Sequence, residues 1–224
     1  MLLLLDTADI KAIKYCNEFY PISGVTTNPS IISRANAPFW DLVKNIREII
    51  GDDKMLHVQV RSEKAEGMIE EALLLKEKLG GNFFVKIPIT EEGLKATIAL
   101  KKLGVNVTVT GIFNPTQALV AAKAGADFVA PYVNRIDSIC GDGVKVVEDI
   151  VTIFAKNNIA TKVLAASFKN TEQVKKCALV GCQSATITDE TLKGLITHPM
   201  TDNALSKFDA DWKNVYGDKT IATL

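Results

Sequence analysis

The stretch Gly81-Asn82-Phe83-Phe84-Val85-Lys86-Ile87-Pro88-Ile89-Thr90 is an apolar, β-prone run of strand length with one charge at its centre. A short continuous run of this kind suits a strand buried on both faces, as in a parallel sheet. Lysine is rarely buried, because an ammonium taken out of water costs several kcal/mol unless it is paired or goes neutral. No acid lies in the run to neutralise Lys86. A desolvated, partly neutral amine is what an imine-forming nucleophile requires. The competing reading places Lys86 near a strand end, with its ammonium snorkelling to water. The rest of the chain bears on which holds.

Working outward, the same unit recurs on both sides. Leu2 to Leu5 read as a strand ending at Asp6, and Asp6-Thr7-Ala8-Asp9 supplies cap chemistry for a helix through Ile10, Ile13 and Asn17. Gly24-Val25-Thr26-Thr27-Asn28 reads as a second strand, closed by Pro29, and Phe39, Leu42, Val43, Ile46 and Ile50 stripe a helix that stops at Gly51. Leu56 to Val60 form the third strand and Lys86 lies in the fourth. Thr90 caps the following helix, with Glu91 and Glu92 at its positive end. Val105 to Thr110, Phe128 to Tyr132, Lys162 to Ser167 and Ser184 to Thr188 continue the series. Helices follow each, one opened by Asn114-Pro115 and one capped by Thr171. Strand starts fall roughly 22 to 34 residues apart, and regular β-then-α alternation over eight such units predicts a (β/α)8 TIM barrel, an α/β fold. No Pro/Gly/Ser-rich linker interrupts the chain, so residues 1–224 are expected to form a single domain. A further helix over 202–216, capped by Asp202 and striped by Ala204, Leu205, Phe208, Trp212 and Val215, is surplus to barrel closure. It is expected to pack on the barrel or on a neighbouring subunit.

Composition narrows the function classes. The 26 basic residues balance 26 acidic ones, which gives no basic surface for nucleic acid or an anionic membrane. Met1 to Leu5 are too short an apolar run for a signal or membrane helix, and a cytoplasmic protein is expected. Cys16, Cys140, Cys177 and Cys182 have no paired spacing and read as free buried thiols. With two scattered histidines, His57 and His198, no zinc cluster is expected and no cofactor is called for.

In such barrels the C-terminal strand ends carry the active site. The polar residues there are Asp6, Asn28, Gln59, Lys86, Thr110, Tyr132, Arg135, Ser167 and Lys169. Each has a bland account alone: Asp6 as a cap, Asn28 as a turn residue, Gln59 and Thr110 as core polar groups, Arg135 and Lys169 as solvated charges. The bland accounts do not foresee all of them at one mouth around Lys86. A lysine amine attacks a ketone, the carbinolamine loses water, and the iminium lets the adjacent C–C bond break or form through an enamine. Asp6, Gln59, Thr110 and Tyr132 can position the water and protons this needs. Arg135, Ser167 and Lys169 offer a guanidinium, a hydroxyl and an ammonium near the usual barrel phosphate region.

The motifs Val25-Thr26-Thr27-Asn28-Pro29-Ser30, Val85-Lys86-Ile87-Pro88, Ala130-Pro131-Tyr132-Val133-Asn134-Arg135-Ile136-Asp137 and Ala165-Ala166-Ser167-Phe168-Lys169 resemble those of the small transaldolase-like class I aldolases. The resemblance runs nearly the whole chain, including the helix at Asp211-Trp212. It implies Lys86 as the Schiff-base lysine, Asp6 as the nearby carboxylate, Asn28 as a substrate-binding amide, and Arg135 with Ser167 as the phosphate site. Gln59 and Tyr132 look like the fructose-6-phosphate aldolases of that family, in which the tyrosine, the glutamine and Thr110 hold the proton-transfer water. Phe113-Asn114-Pro115 looks like the transaldolases, which move a dihydroxyacetone unit between sugar phosphates. The resemblance further implies a sugar-phosphate substrate and a homo-oligomer, a pentamer or decamer joined through the C-terminal helix. A phosphate-binding isomerase barrel, or a barrel that only binds sugar phosphates, remains as a reading in which Lys86 forms no imine.

Overall fold

A computed structural model describes residues 1–224. Eight parallel strands close on themselves in chain order: β1 (Leu2–Asp6), β2 (Gly24–Thr26), β3 (Met55–Gln59), β4 (Phe83–Pro88), β5 (Asn106–Ile112), β6 (Phe128–Pro131), β7 (Lys162–Ala165) and β8 (Ser184–Ile187). Each pairs with the next, and β8 returns to β1 through Leu2 opposite Ser184 and Leu5 opposite Ile187. The (β/α)8 barrel expected from the alternation is the fold observed.

Helices cover the outside of the ring. Their apolar stripes and the outward strand residues form a core of 43 buried residues, from Leu5 and Val25 to Val85, Ile150 and Ile187. A separate cluster of five residues, Leu4, Met55, Phe84, Phe128 and Leu164, fills the bottom of the barrel interior. Side chains alternate along a strand, so Lys86 is the next inward position above Phe84, His57 and Gln59 follow Met55, and Asp6 follows Leu4. An apolar floor therefore gives way to polar residues towards the C-terminal mouth.

Several boundaries differ from the sequence reading, for local reasons. Two short helices, Pro29–Arg34 after β2 and Val133–Asp137 after β6, join those expected. The first starts because the Asn28 side chain accepts from the Ile31 N–H at 3.0 Å while Pro29 needs no donor partner. Asp9, and not Asp6, caps the first helix, Ile10–Phe19. Asn170, and not Thr171, caps Thr171–Leu179. The C-terminal helix runs Pro199–Tyr216 with His198 as its cap, four residues ahead of the expected Asp202. That helix buries no residue, and Leu205, Phe208 and Val215 are exposed, so its apolar stripe does not pack on the barrel. Cys140 is exposed, unlike the other three cysteines. No helix is long and apolar enough to cross a membrane.

Gly93 shows how tightly helix and strand meet at the mouth. It lies in the first turn of the helix Glu91–Lys102, capped by Thr90, and a Cβ there would overlap the Pro88 carbonyl oxygen at the end of β4. Alanine would favour the helix by about 1 kcal/mol on propensity alone. Backbone overlap costs about 1–3 kcal/mol and wins. Gly93→Ala should therefore lower Tm, and an unchanged Tm would show that this helix can move off the strand end without penalty.

Candidate functional site

Lys86 is central to the mouth. It faces Gln59 on β3 and Thr108 on β5 in the strand register, and only 4% of it is exposed. That exposure removes the snorkelling alternative. Its Nζ donates one hydrogen bond, to the Thr27 carbonyl at 2.9 Å, and it forms no salt bridge. Burial pushes its pKa below the ordinary lysine value, and the attraction of the Asp6 carboxylate only partly offsets this. Burial thus works against the charged form, and the one hydrogen bond keeps the group from being left unpaired.

Asp6 is half-buried and accepts from Thr26 Oγ1 at 2.7 Å. Thr26 Oγ1 lies 2.6 Å from Thr186 Oγ1, so a line of hydroxyls runs from the carboxylate across β2 and β8. Helix capping does not occupy the Asp6 oxygens, which resolves the bland account of that residue. Neither threonine was expected to matter; both sit in runs that read as ordinary β-branched strand.

On the opposite wall Thr110 Oγ1 is 2.9 Å from the Tyr132 hydroxyl. A bulge at Gly111, with φ 78°, shifts the β5–β6 register between Thr110 and Ile112 and brings β5 out to the rim. Arg135 stacks over Tyr132, its guanidinium carbon 4.7 Å from the ring centroid. Phe113 meets the same ring edge-on at 5.5 Å.

The phosphate-region candidates are held by loop hydrogen bonds. Val133 N–H donates to the Ala166 carbonyl at 2.9 Å, and Asn134 N–H to the Ser167 carbonyl at 2.8 Å. These ties set Arg135 beside Ser167, whose left-handed φ of 60° costs about 1–2 kcal/mol. Gln173, which sequence reasoning passed over, braces the region from beneath. Its amide donates to Asp137 Oδ2 at 2.6 Å, and its Oε1 accepts from the Lys169 N–H at 2.8 Å. Asp137 in turn receives the Gly143 N–H at 2.7 Å. The signal was present: Asn170-x-x-Gln173 and Asn114-x-x-Gln117 are both Asn caps followed by a glutamine that reaches back to the preceding N–H.

Asn28 and Gln59 complete the ring. Asn28 spends its carbonyl oxygen on its cap bond, and its NH2 has no partner within the chain. One cleft is lined by Pro29, Gln59, Arg61 and Thr90, and a second, on the other side of the helix Pro29–Arg34, by Asp6, Ile31 and Thr188. Lys169 is exposed at the rim, with its backbone alone engaged. One buried titratable group lies lower. His57 stacks on Phe84 at 4.6 Å, pairs Nδ1 with Thr108 Oγ1 at 2.9 Å, and leaves Nε2 without a partner. Taken together the C-terminal ends of the strands and the loops that follow them carry an amine, a carboxylate, a phenol and a guanidinium, the set that imine chemistry on a phosphorylated carbonyl compound would use.

The sequence matches the Transaldolase/Fructose-6-phosphate aldolase family over residues 3–221. A probable transaldolase from Aquifex aeolicus (strain VF5) is 44% identical over 215 residues, covering 96% of this chain and 98% of that protein. Among solved structures, dihydrodipicolinate synthase from Rhodopseudomonas palustris aligns with TM-score 0.59 and 13% identity over 93% of this chain and 78% of its own. A flavocytochrome b2 variant aligns with TM-score 0.60 and 13% identity over 84% of this chain and 56% of its own. Those two likenesses speak for the barrel alone.

Burial, and then the Lys86 charge, hold the pKa of His57 well below the usual histidine range. The unfolded chain takes up a proton near pH 6.5 that the folded chain refuses, so this contribution to stability is full above that pH and is lost as pH falls through it. The urea midpoint should therefore drop between pH 7.5 and 5. His57→Gln should flatten the dependence by up to about 1.4 kcal/mol per pH unit, one proton's worth. Identical slopes in both proteins would remove His57 as the source.

Proposed function

The chain belongs to the transaldolase/fructose-6-phosphate aldolase family, and from that premise we propose that it is a class I aldolase acting on fructose 6-phosphate. The reaction is reversible cleavage to dihydroxyacetone and glyceraldehyde 3-phosphate through a Schiff base on Lys86. The observation that carries the reading is the state of that lysine: buried, free of any carboxylate contact, hydrogen-bonded to one carbonyl and with its charged form disfavoured by burial.

The geometry supports the following roles. The Lys86 amine attacks the ketone carbon, and Asp6, steadied by Thr26, exchanges protons during carbinolamine dehydration. Gln59, Thr110 and Tyr132 hold the water and protons for the later steps, the phenol being fixed by Thr110. Asn28 offers its amide to a donor hydroxyl. Arg135, Ser167 and Lys169 take the phosphate, with the guanidinium fork supplying the charge-assisted contacts. A phenol beside the enamine favours its protonation and the release of free dihydroxyacetone, which is the reason for preferring the aldolase. The second reading, a transaldolase, has in its favour the name of the Aquifex relative and the Phe113-Asn114-Pro115 turn beside Tyr132.

The two readings separate in one assay. Fructose 6-phosphate supplied alone should release free dihydroxyacetone, and Lys86→Met should abolish both this and borohydride trapping, with turnover falling by at least about 10³-fold. No free dihydroxyacetone, with glyceraldehyde 3-phosphate accumulating only when erythrose 4-phosphate is added to take the three-carbon unit, would give the transaldolase. Trapping retained in Lys86→Met would move the nucleophile to another lysine.

We propose in addition that the exposed stripe of Leu205, Phe208 and Val215 on Pro199–Tyr216 meets a neighbouring subunit in a homo-oligomer, a pentamer or decamer by family resemblance. Chains ending before Pro199 should sediment as a smaller species or aggregate. An unchanged sedimentation coefficient per subunit set would exclude the helix from assembly.

A further inference from the structure

The ring of Tyr132 is gripped by Thr110 at its hydroxyl, Phe113 at its edge and Arg135 on its face. The Arg135 charge is otherwise uncompensated. It joins no salt bridge and makes no side-chain hydrogen bond, and the carboxylate two residues on, Asp137, gives both oxygens to Gly143 and Gln173. The Tyr132 face is the one specific side-chain partner of this exposed guanidinium.

We propose that Arg135 couples the phosphate site to the phenol that delivers protons, so that a bound phosphate slows protonation of the enamine on Lys86 and an empty site permits it. The proposal rests on the roles of Lys86, Tyr132 and Arg135 given above. A cation on the face of a phenol is attracted to the ring's electron density, and more strongly once the hydroxyl has lost its proton. Positive charge there eases proton transfer out of the hydroxyl. A phosphate dianion seated in the guanidinium fork neutralises that charge, and the easing is withdrawn.

The protons balance. The enamine carbon takes the Tyr132 hydroxyl proton, which leaves a phenolate and an iminium on Lys86. One water then hydrolyses the iminium to dihydroxyacetone and the free amine, and the proton set free returns to the phenolate. After cleavage the phosphorylated aldehyde still occupies the fork, so the enamine is held back from protonation until that aldehyde departs. A second phosphorylated aldehyde arriving first would be joined to the enamine. Release and transfer are then two outcomes of one site, selected by whether Arg135 carries a phosphate.

The test uses dihydroxyacetone alone in D2O, where α-hydrogen exchange reads enamine formation and reprotonation without any acceptor. Inorganic phosphate is titrated against chloride at equal ionic strength, and borohydride trapping is run alongside. Phosphate should slow exchange by about 2- to 30-fold, the reach of one cation–π contact, and leave the trapping rate unchanged. Whatever exchange remains in Arg135→Gln and in Tyr132→Phe should be indifferent to phosphate. The coupling is overturned if phosphate leaves wild-type exchange unchanged or speeds it, if it slows trapping in step with exchange, or if the inhibition persists in Arg135→Gln. Neither exchange nor trapping in chloride alone would overturn the Lys86 reading itself, and the coupling with it.

Discussion

The desolvation of one ammonium group organises this molecule. Lys86 sits inside a ring of strands with only 4% of its surface exposed, and an isolated charge there costs several kcal/mol. The protein meets that cost with a single carbonyl, that of Thr27, and with the field of Asp6, and not with a contact ion pair. A bidentate carboxylate would have stabilised the charged form and left a poor nucleophile. The weak partner set leaves the amine usable, and the surrounding fold has to make up the stability elsewhere.

That compensation is visible in how the rim is braced. The loops after β6 and β7 are joined by backbone hydrogen bonds from Val133 and Asn134, and then fastened by Gln173 and Asp137. Arg135 needs such bracing because its own side chain contributes no hydrogen bond to the fold. The hydroxyl line Asp6–Thr26–Thr186 does the corresponding work on the other wall. Each functional group is thus oriented by a residue whose own bonding is complete.

Much of this was legible from residue order. The eight-fold alternation fixed the barrel, and the barrel rule assigned Asp6, Lys86, Thr110, Tyr132 and Arg135 to one mouth, where the structure places them. What stayed hidden depended on cross-strand register or on competition between neighbouring caps. His57 and Thr26 look like ordinary strand residues until the register sets them beneath Lys86 and beside Asp6. Asn170 outcompetes Thr171, and His198 with Pro199 pre-empts Asp202, because the earlier residue in each pair already satisfies the helix's first N–H groups. The short helices at Pro29 and Val133 carry too few residues for periodicity to reveal.

The separation of the interior into two apolar clusters has a consequence for how such a chain can change over time. The large cluster between strands and helices holds most of the buried apolar surface, whereas the mouth draws on inward positions above the five-residue floor. Substitutions at Gln59, Phe113 or Tyr132 therefore subtract little from the net free energy of folding. A lineage can vary those side chains while the load-carrying shell stays under unrelaxed selection. The rim positions that neither touch the buried lysine nor build the floor beneath it are the part of this protein that is free to explore.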